Sequence, residues 1–262
     1  MFSSTVFSAK ILRSCIQLAL LLGIFSIAIL ATEPVKARSA SRNTSSTTRR
    51  QVVRYTHASS RVSFHNGPRV SFQQTDGWAL IATNDGVLFV WNVHELHFTL
   101  AVKGKDIKRV NDPDHIFLNA DGKILQIQAA EIRDFAPNAK EKKLDDKAVL
   151  AAHRDWESKY IEGLLKSKLA LHSFSVNTSG LGTASLWEFD MPAGLNAEVK
   201  TQVYMTVVRG DYVVMLNGEA TTTTSEAEVR KFLLDTFATL KISSDPFDVQ
   251  KLSESIRAGR EP

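Results

Sequence analysis

The sequence predicts an α+β protein in which a mainly antiparallel sheet is sandwiched between helices, that is, an α/β/α sandwich. Short strand-like runs are separated by turn residues, a pattern that favours antiparallel pairing. Two stretches with helical periodicity follow separate groups of strands, one over residues 146–166 and one after Ser225. Two late runs, 203–208 and 212–216, are apolar at consecutive positions, which indicates strands covered on both faces. One helix on each face of a sheet would supply that cover.

The composition is that of a folded domain rather than a fibre or a membrane bundle. The chain has 262 residues, of which 44% are hydrophobic and 23% are charged. This balance excludes a fully disordered chain, a collagen-like fibre and a polytopic membrane protein. The single cysteine, Cys15, excludes a disulfide-stapled scaffold and a cysteine-rich zinc module.

Residues 1–37 have the layout of a secretory signal peptide. Lys10 and Arg13 precede a long apolar run, and residues 35–37 then offer small side chains at the two positions that a signal peptidase inspects. The apolar run is also near the length that spans a bilayer, so a retained anchor over residues 14–31 is the alternative. In both cases the sequence predicts an exported protein, periplasmic or secreted.

A basic segment rich in serine and threonine, residues 38–60, comes next and is named the arm here. Residues 38–75 contain seven arginines and no acid, whereas residues 76–262 contain 22 basic and 27 acidic residues. The arm has few large apolar side chains, so we expect it to be disordered. It is either a solvated linker or a contact to an anionic lipid surface or envelope polymer, and nucleic acid is not an expected partner of an exported chain. The residues predicted to make the anionic contact are Arg42, Arg49, Arg50 and Arg54.

The chain between the arm and the first helix predicts a series of hairpins. Residues 61–64 and 69–72 repeat the sequence Arg-Val-Ser-Phe around an Asn-Gly pair, which favours a hairpin. Turn residues at 84–86 and 119–122 predict two more hairpins, and the polar, proline-containing stretch 134–143 predicts a loop. The strands expected in this part of the chain are 78–83, 87–93, 95–102, 115–118 and 123–129.

An amphipathic helix is predicted over residues 146–166, with Asp145 or Asp146 as its N-cap. The apolar spacing predicts which face meets the sheet, and β-prone runs separated by glycine and proline predict four further strands. The predicted stripe of the helix is Val149, Ala152, Trp156, Tyr160 and Leu164, and the predicted strands are 169–176, 184–191, 199–208 and 212–216.

A second helix is predicted to close the domain, because Ser225 and Glu228 have the spacing of a capping box. Residues 243–246 should end this helix. One folded domain is therefore expected over residues 61–245, followed by a polar tail, 246–262, that can add a short helix. The apolar stripe predicted for the second helix is Val229, Phe232, Leu233, Phe237 and Leu240.

The order of these last elements resembles the C-terminal half of the PsbP-like superfamily. The resemblance is carried by the apolar hairpin 203–216, the residues Asn217-Gly-Glu-Ala, a threonine-rich link and a capped helix ending in Thr239-Leu-Lys-Ile. The superfamily includes photosystem subunits, the Ran-binding factor Mog and the periplasmic lipoprotein DcrB. The resemblance spans roughly residues 76–243 and implies an α/β/α sandwich that acts as a non-enzymatic docking or assembly module. This chain lacks the lipoprotein cysteine of a DcrB-like anchor, and no functional residue of the superfamily matches it position by position.

No arrangement of residues in the sequence names a reaction. The sequence has no Gly-x-Ser-x-Gly elbow, no phosphate loop and no dinucleotide fingerprint. The Arg-Gly-Asp tripeptide at 209–211 is expected to be a hairpin turn rather than an integrin ligand. Strand and turn positions explain the conceivable metal ligands, so we expect no metal site, no cofactor and no catalytic residue. The side chains considered as metal ligands are His94, His97, His115, Asp112, Asp114 and Asp121.

The sequence favours a non-enzymatic binding or assembly module of the cell envelope, whose partner is an unknown protein or envelope component. Two alternatives stay open. A lipid or small-molecule carrier would need a deep apolar pocket inside the sandwich. A hydrolase with an unrecognised site would need three polar side chains that converge in a pocket, one of them an acid or base with a strongly perturbed pKa.

Overall fold

The computed structural model of the chain describes residues 72–75, 77–112, 115–178, 182–195 and 198–260. The predicted signal peptide, the arm and residues 61–71 of the predicted first hairpin lie outside these residues. In the part of the chain that is described, no helix is both long enough and apolar enough to cross a membrane.

The described residues form two antiparallel sheets and four helices, which confirms an α+β protein with mainly antiparallel pairing. The strands run in the order β1-β2-β3-β4-β12 in a five-stranded sheet and β5-β6-β7-β11-β10-β9-β8 in a seven-stranded sheet. The strands are β1 (Phe72–Thr75), β2 (Trp78–Ala82), β3 (Gly86–Val93), β4 (Leu96–Lys103), β5 (Ile107–Val110), β6 (Ile116–Ala120), β7 (Lys123–Glu131), β8 (Leu171–Thr178), β9 (Gly182–Asp190), β10 (Val199–Arg209), β11 (Tyr212–Thr221) and β12 (Lys241–Ser243), and the helices are α1 (Ile132–Phe135), α2 (Asp146–Leu165), α3 (Glu226–Phe237) and α4 (Val249–Arg257).

The expectation of one central sheet is wrong, because the strands that precede α2 divide between two sheets. The strands β2 and β3 carry apolar side chains on both faces. Leu80 and Phe89 on one face belong to the same buried core as Leu216 of the seven-stranded sheet. Ile81 and Val90 on the other face pack against α4. Because both faces of β2 and β3 are apolar, both must be covered. In a separate sheet, one face of these strands packs on the core shared with the seven-stranded sheet, and the other packs on α4.

The seven-stranded sheet meets α2 on one face and α3 on the other. Ile161 of α2 packs with Tyr204 of β10, whereas Leu233 of α3 lies in the same core as Met205, the next residue of that strand. Successive residues of a strand point to opposite faces, so β10 is covered on both sides, as its consecutive apolar residues predicted. However, β4 and the rest of the five-stranded sheet pack on the same face of the seven-stranded sheet as α3. The layers therefore differ from a single sheet between two helices.

Both long helices begin where the sequence placed them. Asp145 caps α2, because its Oδ1 accepts a hydrogen bond from the amide of Ala148 at 2.8 Å. At the start of α3, Oγ of Ser225 accepts from the amide of Glu228 at 3.3 Å, and Oε2 of Glu228 accepts from the amide of Ser225 at 2.8 Å. This reciprocal pair is the predicted capping box.

The predicted end of the second helix is wrong, because α3 stops at Phe237 and the chain then joins the five-stranded sheet. The hydroxyl of Thr239 accepts a hydrogen bond from the amide of Ala101 in β4 at 2.8 Å and donates to the carbonyl of Thr236 at 2.7 Å. These bonds fix the chain beside β4, where Ile242 of β12 pairs with Phe98. Leu240, expected on the helical stripe, is therefore buried in the connection.

Gly218 lets α3 approach β11 closely. A Cβ atom at this position would lie 2.8 Å from Cγ1 of Val229, which is closer than real Cβ atoms approach other heavy atoms. A glycine inside a strand often marks such a close approach of another element. The glycine in the Asn-Gly-Glu-Ala stretch thus has a packing role beneath the helix.

The hairpin turns agree with the sequence. Asp121 and Gly122 join β6 to β7 with φ angles of 52° and 84°, as a two-residue turn of type I′ requires. Gly210, with a φ of 57°, lies in the turn between β10 and β11, so the prediction of a turn at 209–211 is confirmed. The predicted loop 134–143 differs at its start, because residues 134 and 135 complete the short helix α1.

The predicted polar tail contains α4, which packs on the five-stranded sheet. Val249, Leu252 and Ile256 recur at helical spacing and contact the outer face of β2 and β3. Asn92 at the end of β3 exchanges two hydrogen bonds with the backbone of Phe247, both at 2.9 Å. The tail is therefore joined to the folded unit along one apolar stripe.

Candidate binding surface

A fixed arginine on α3 is the centre of the candidate surface. Arg230 donates from Nε and Nη2 to the two carboxylate oxygens of Glu188 in β9, at 2.7 and 2.5 Å. Its Nη2 also donates to Glu226, one helical turn earlier, at 2.8 Å. The pKa of Arg230 is raised, mainly because of its hydrogen bonds to Glu188. A bidentate pair of this kind fixes the plane of the guanidinium group.

The carboxylate of Glu226 is itself held by the sheet. Oγ1 of Thr201 lies 3.0 Å from Glu226 and 3.0 Å from Asp190. A hydroxyl carries one proton, so Thr201 donates to one of these carboxylates at a time. The cluster thus ties the first turn of α3 to the ends of β9 and β10.

An exposed aromatic ring lies next to this arginine. Phe174 of β8 is 49% exposed, although it points to the same face of the sheet as the buried core. Cζ of Arg230 lies 5.9 Å from the centroid of the Phe174 ring, within the range of a cation–π contact. Aromatic residues and arginine are the residue types enriched where protein interfaces concentrate their binding energy.

The strand that carries Phe174 is a long edge strand without protecting charges. No described strand pairs with the outer edge of β8, which is eight residues long and contains no lysine, arginine, aspartate, glutamate or proline. The other edges differ: β1 and β5 have four residues and β12 has three, and β5 carries Lys108 and Arg109. Charges, proline and short length normally keep an edge from pairing with another chain. We name the outer edge of β8, Phe174 and Arg230 together the β8 surface.

A polar groove adjoins the β8 surface at the start of α3. Its volume is 580 Å³, and Lys200 and Arg230 are the cations that line it. The hydroxyl of Thr221 accepts hydrogen bonds from the amides of Thr223 and Thr224, both at 3.1 Å. Since the capping box uses the next amide, these backbone donors are already satisfied and do not form an open anion site. The remaining lining is formed by Ala220, Thr222, Ser225, Glu226, Ala227 and Glu228.

The residues considered from sequence do not assemble into a metal or catalytic site within the described ranges. Among the described residues, no group of three or more potential metal ligands comes together. Oδ1 of Asp112 accepts a hydrogen bond from the backbone amide of His115 and lies 3.2 Å from Nδ1 of its ring. Both carboxylate oxygens of Asp121 accept from turn amides at Lys105 and Asp106, which is turn chemistry. The four arginines of the arm lie outside the described residues, as does Asp114.

Two titratable side chains that sequence reasoning missed are buried beneath α2. Glu157 is 2% exposed, and burial raises the pKa of its carboxyl to about 7. His153, one turn earlier, is 1% exposed, and burial lowers the pKa of its imidazole to about 4. Its Nδ1 has no hydrogen-bond partner in the described structure, and its ring packs edge-on against Phe135 at 5.0 Å. Neither residue lines the groove, so the perturbed groups and the groove are separate features.

These residues were missed because the predicted stripe of α2 was rotated from the face that meets the sheet. Trp156 and Tyr160 of that stripe are only half-buried, and Leu164 is 39% exposed. The available signal was the pair of apolar residues Val149 and Ile161. Steps of four residues lead from one to the other through positions 153 and 157, which therefore lie on the same face of the helix. The buried residues of α2 are Val149, Leu150, His153, Glu157, Ser158 and Ile161.

The face of the seven-stranded sheet beneath α2 also carries a buried polar network. Nε2 of Gln202 donates to Glu219 at 3.2 Å, and Nδ2 of Asn217 donates to Oε1 of Gln202 at 3.0 Å. The pKa of Glu219 is raised, mainly because its carboxyl group is buried. The network joins the neighbouring strands β10 and β11, so its clear role is to hold their register.

No protein-family model matches this chain, and no curated protein matches it. The solution structure of cyanobacterial PsbP (CyanoP) from Synechocystis sp. PCC 6803 is similar to it over 69% of this chain and 98% of that chain, with 14% sequence identity and a TM-score of 0.36. This likeness is to PsbP and not to Mog or DcrB.

Proposed function

We propose that this chain is a non-enzymatic binding or assembly module of an extracytoplasmic compartment, and that it docks a protein partner on the β8 surface. The observation that carries the proposal is the long, uncharged edge of β8 with Phe174 exposed beside a fixed Arg230. An open strand edge supplies main-chain hydrogen bonds to an extended segment, and the neighbouring side chains supply specificity. The ion pairs already hold Arg230 in place, so little side-chain entropy is lost when a partner contacts it.

We also propose that the seven-stranded sheet with α2 and α3 is a PsbP-like α/β/α unit to which the five-stranded sheet is added. The support is the sequence resemblance over residues 203–242 together with the opposite placement of the two helices. The two alternative functions have less support. Hydroxyl and charged side chains make up much of the groove lining, which does not suit a lipid, and the perturbed Glu157 and His153 lie outside it.

The first test replaces Phe174 with alanine and compares capture of partners from the native envelope fraction by chemical cross-linking. If the ring anchors a partner, its loss should reduce affinity for the cross-linked protein roughly tenfold or more, as truncation of an interface hot spot does. The matched control is Leu164→Ala, which removes a similarly exposed apolar side chain from α2. A protein captured equally by wild type and both variants would not depend on this surface and would contradict the proposal.

The arm supplies a second, weaker contact in this proposal, to an anionic membrane or envelope polymer. Each arginine near a membrane surface contributes about 1 kcal/mol at most, and the Debye length at physiological salt is about 8 Å. We therefore expect weak sedimentation with vesicles that contain anionic lipid, falling steeply with added salt. It should be lost when Arg42, Arg49, Arg50 and Arg54 are all replaced by serine. Equal sedimentation of wild type and the fourfold variant would assign the arm to the solvated linker, and neutral vesicles are the control.

A further inference from the structure

We infer that the partner of the β8 surface is a second copy of this chain, which pairs with β8 antiparallel across a two-fold axis. This inference rests on the docking role proposed above for that surface. It would join two seven-stranded sheets edge to edge through the one long edge that lacks protecting charges among the described strands. Two-fold pairing is the commonest way in which identical chains associate, and it requires a surface that complements itself.

The charge pattern of β8 meets the requirement of self-complementarity. In a two-fold strand pair, the charges of one edge meet only the charges of an identical edge, so a strand such as β5, with Lys108 and Arg109 and no acid, would repel itself. β8 has no charged residue of this kind. The cations beside it are already neutralised: Arg230 by Glu188, and Arg154, which donates to Ser173, by Asp155 at 2.6 Å. A second copy requires an edge without an excess of one charge, whereas an unrelated peptide can match a charged edge with opposite charges of its own.

The geometry of antiparallel pairing then restricts the register. Neighbouring residues of a strand present their backbone groups to opposite edges, so a two-fold pair must place one residue directly opposite its own copy. Placing Phe174 opposite the second Phe174 puts both rings on the same face of the joined sheet, with each Arg230 beside its own ring. Cβ atoms of directly opposed residues lie about 5 Å apart, so the two half-exposed rings would cover each other.

The expected dimer is weak. A pair of eight-residue strands with one aromatic residue on each side buries an area at the low end of specific protein interfaces. We therefore expect association to depend on protein concentration rather than to be permanent.

The test is sedimentation velocity of Phe174→Lys and Phe174→Glu, alone and mixed. Each variant alone places like charges opposite each other and should stay monomeric at concentrations where the wild type associates. The equimolar mixture places lysine opposite glutamate and should restore association. Leu164→Lys is the matched control, because it introduces the same charge at an exposed apolar position on α2 rather than on β8, and it should associate like the wild type. Cooperative unfolding of each variant, measured in parallel, shows that the fold is intact.

A wild type that stays monomeric up to high micromolar concentration would overturn the inference, as would variants at Phe174 that associate like the wild type, or a mixture that fails to associate. None of these results depends on capturing another protein. If the wild type is monomeric but cross-linked capture is lost in Phe174→Ala, the binding function stands and only the identity of the partner is wrong. If the wild type dimerises and no other protein is captured in a Phe174-dependent way, self-association is the role of the surface.

Discussion

Replacing Glu157 with glutamine should raise the free energy of unfolding by about 3 kcal/mol near pH 8 and leave it almost unchanged near pH 4. The carboxyl is buried beneath α2, and burial raises its pKa from 4.5 to about 7. Between these two values the unfolded chain has lost the proton and the folded protein still holds it. The contribution of Glu157 to the stability of the wild type must therefore fall as pH rises from 4.5 to 7, by about 1.4 kcal/mol per pH unit. Glutamine keeps the size of the side chain and cannot ionise, so the variant lacks this loss.

The measurement is urea denaturation of both proteins across this pH range. Glu141→Gln is the control, because Glu141 is exposed in the loop before α2 and its replacement should change stability little at any pH. If Glu157→Gln and the wild type keep the same difference in stability from pH 4 to pH 8, the carboxyl is not desolvated in the folded state. That result would place Glu157 in contact with solvent or with a cation.

Replacing His153 with phenylalanine should have the opposite dependence on pH. Burial lowers the pKa of the imidazole from 6.5 to about 4, so the unfolded chain takes up a proton in this range before the folded protein does. The wild type should lose about 3 kcal/mol from this group as pH falls from 6.5 to 4, and all of it should be present above pH 6.5. A phenylalanine ring retains the edge-on contact to Phe135 and removes the buried nitrogen that has no described partner. The variant should therefore gain stability relative to the wild type in acid.

The two groups lie one helical turn apart and act in opposite directions, so their effects should nearly cancel in the wild type between pH 4.5 and 6.5. In each single variant, the free energy of unfolding should change with pH as the remaining group alone dictates. In the double variant, the free energy of unfolding should again depend little on pH. Denaturation midpoints at several pH values in this window measure all four proteins. Single variants whose stability changes in the same direction with pH would contradict this account. The control is His94→Asn, which removes an exposed histidine between β3 and β4, far in sequence from α2 and β8.

Local signals in the sequence predicted those parts of the fold that depend on neighbouring residues. The capping box at Ser225, the cap at Asp145 and the turn at Asp121 and Gly122 each involve residues within four positions of one another. The division into two sheets does not have a local signal of this kind. It depends on Thr239 meeting Ala101, and on Phe247 meeting Asn92, contacts that span more than 130 residues.

The candidate surface could not be read from the sequence for the same reason. Arg230 and Glu188 are 42 residues apart, and Phe174 lies in a run that the sequence shows only as β-prone. What the sequence does contain is the absence of charge over residues 171–178. The absence of charge indicates an unprotected edge only because the topology places these residues at the edge of a sheet rather than at its centre.

The five-stranded sheet has a consequence for the order in which the protein can be assembled. Its strands β1 to β4 come from the start of the described chain, whereas β12 and the covering helix α4 come from its end. During synthesis, strands β2 and β3 emerge with one apolar face that is covered in the folded protein by residues 247–256. Contacts between such distant segments form late, because a long loop must close before they yield any stabilisation. The growing chain therefore carries an uncovered sheet until α4 has been made, so strands β1 to β4 are completed well after their own synthesis.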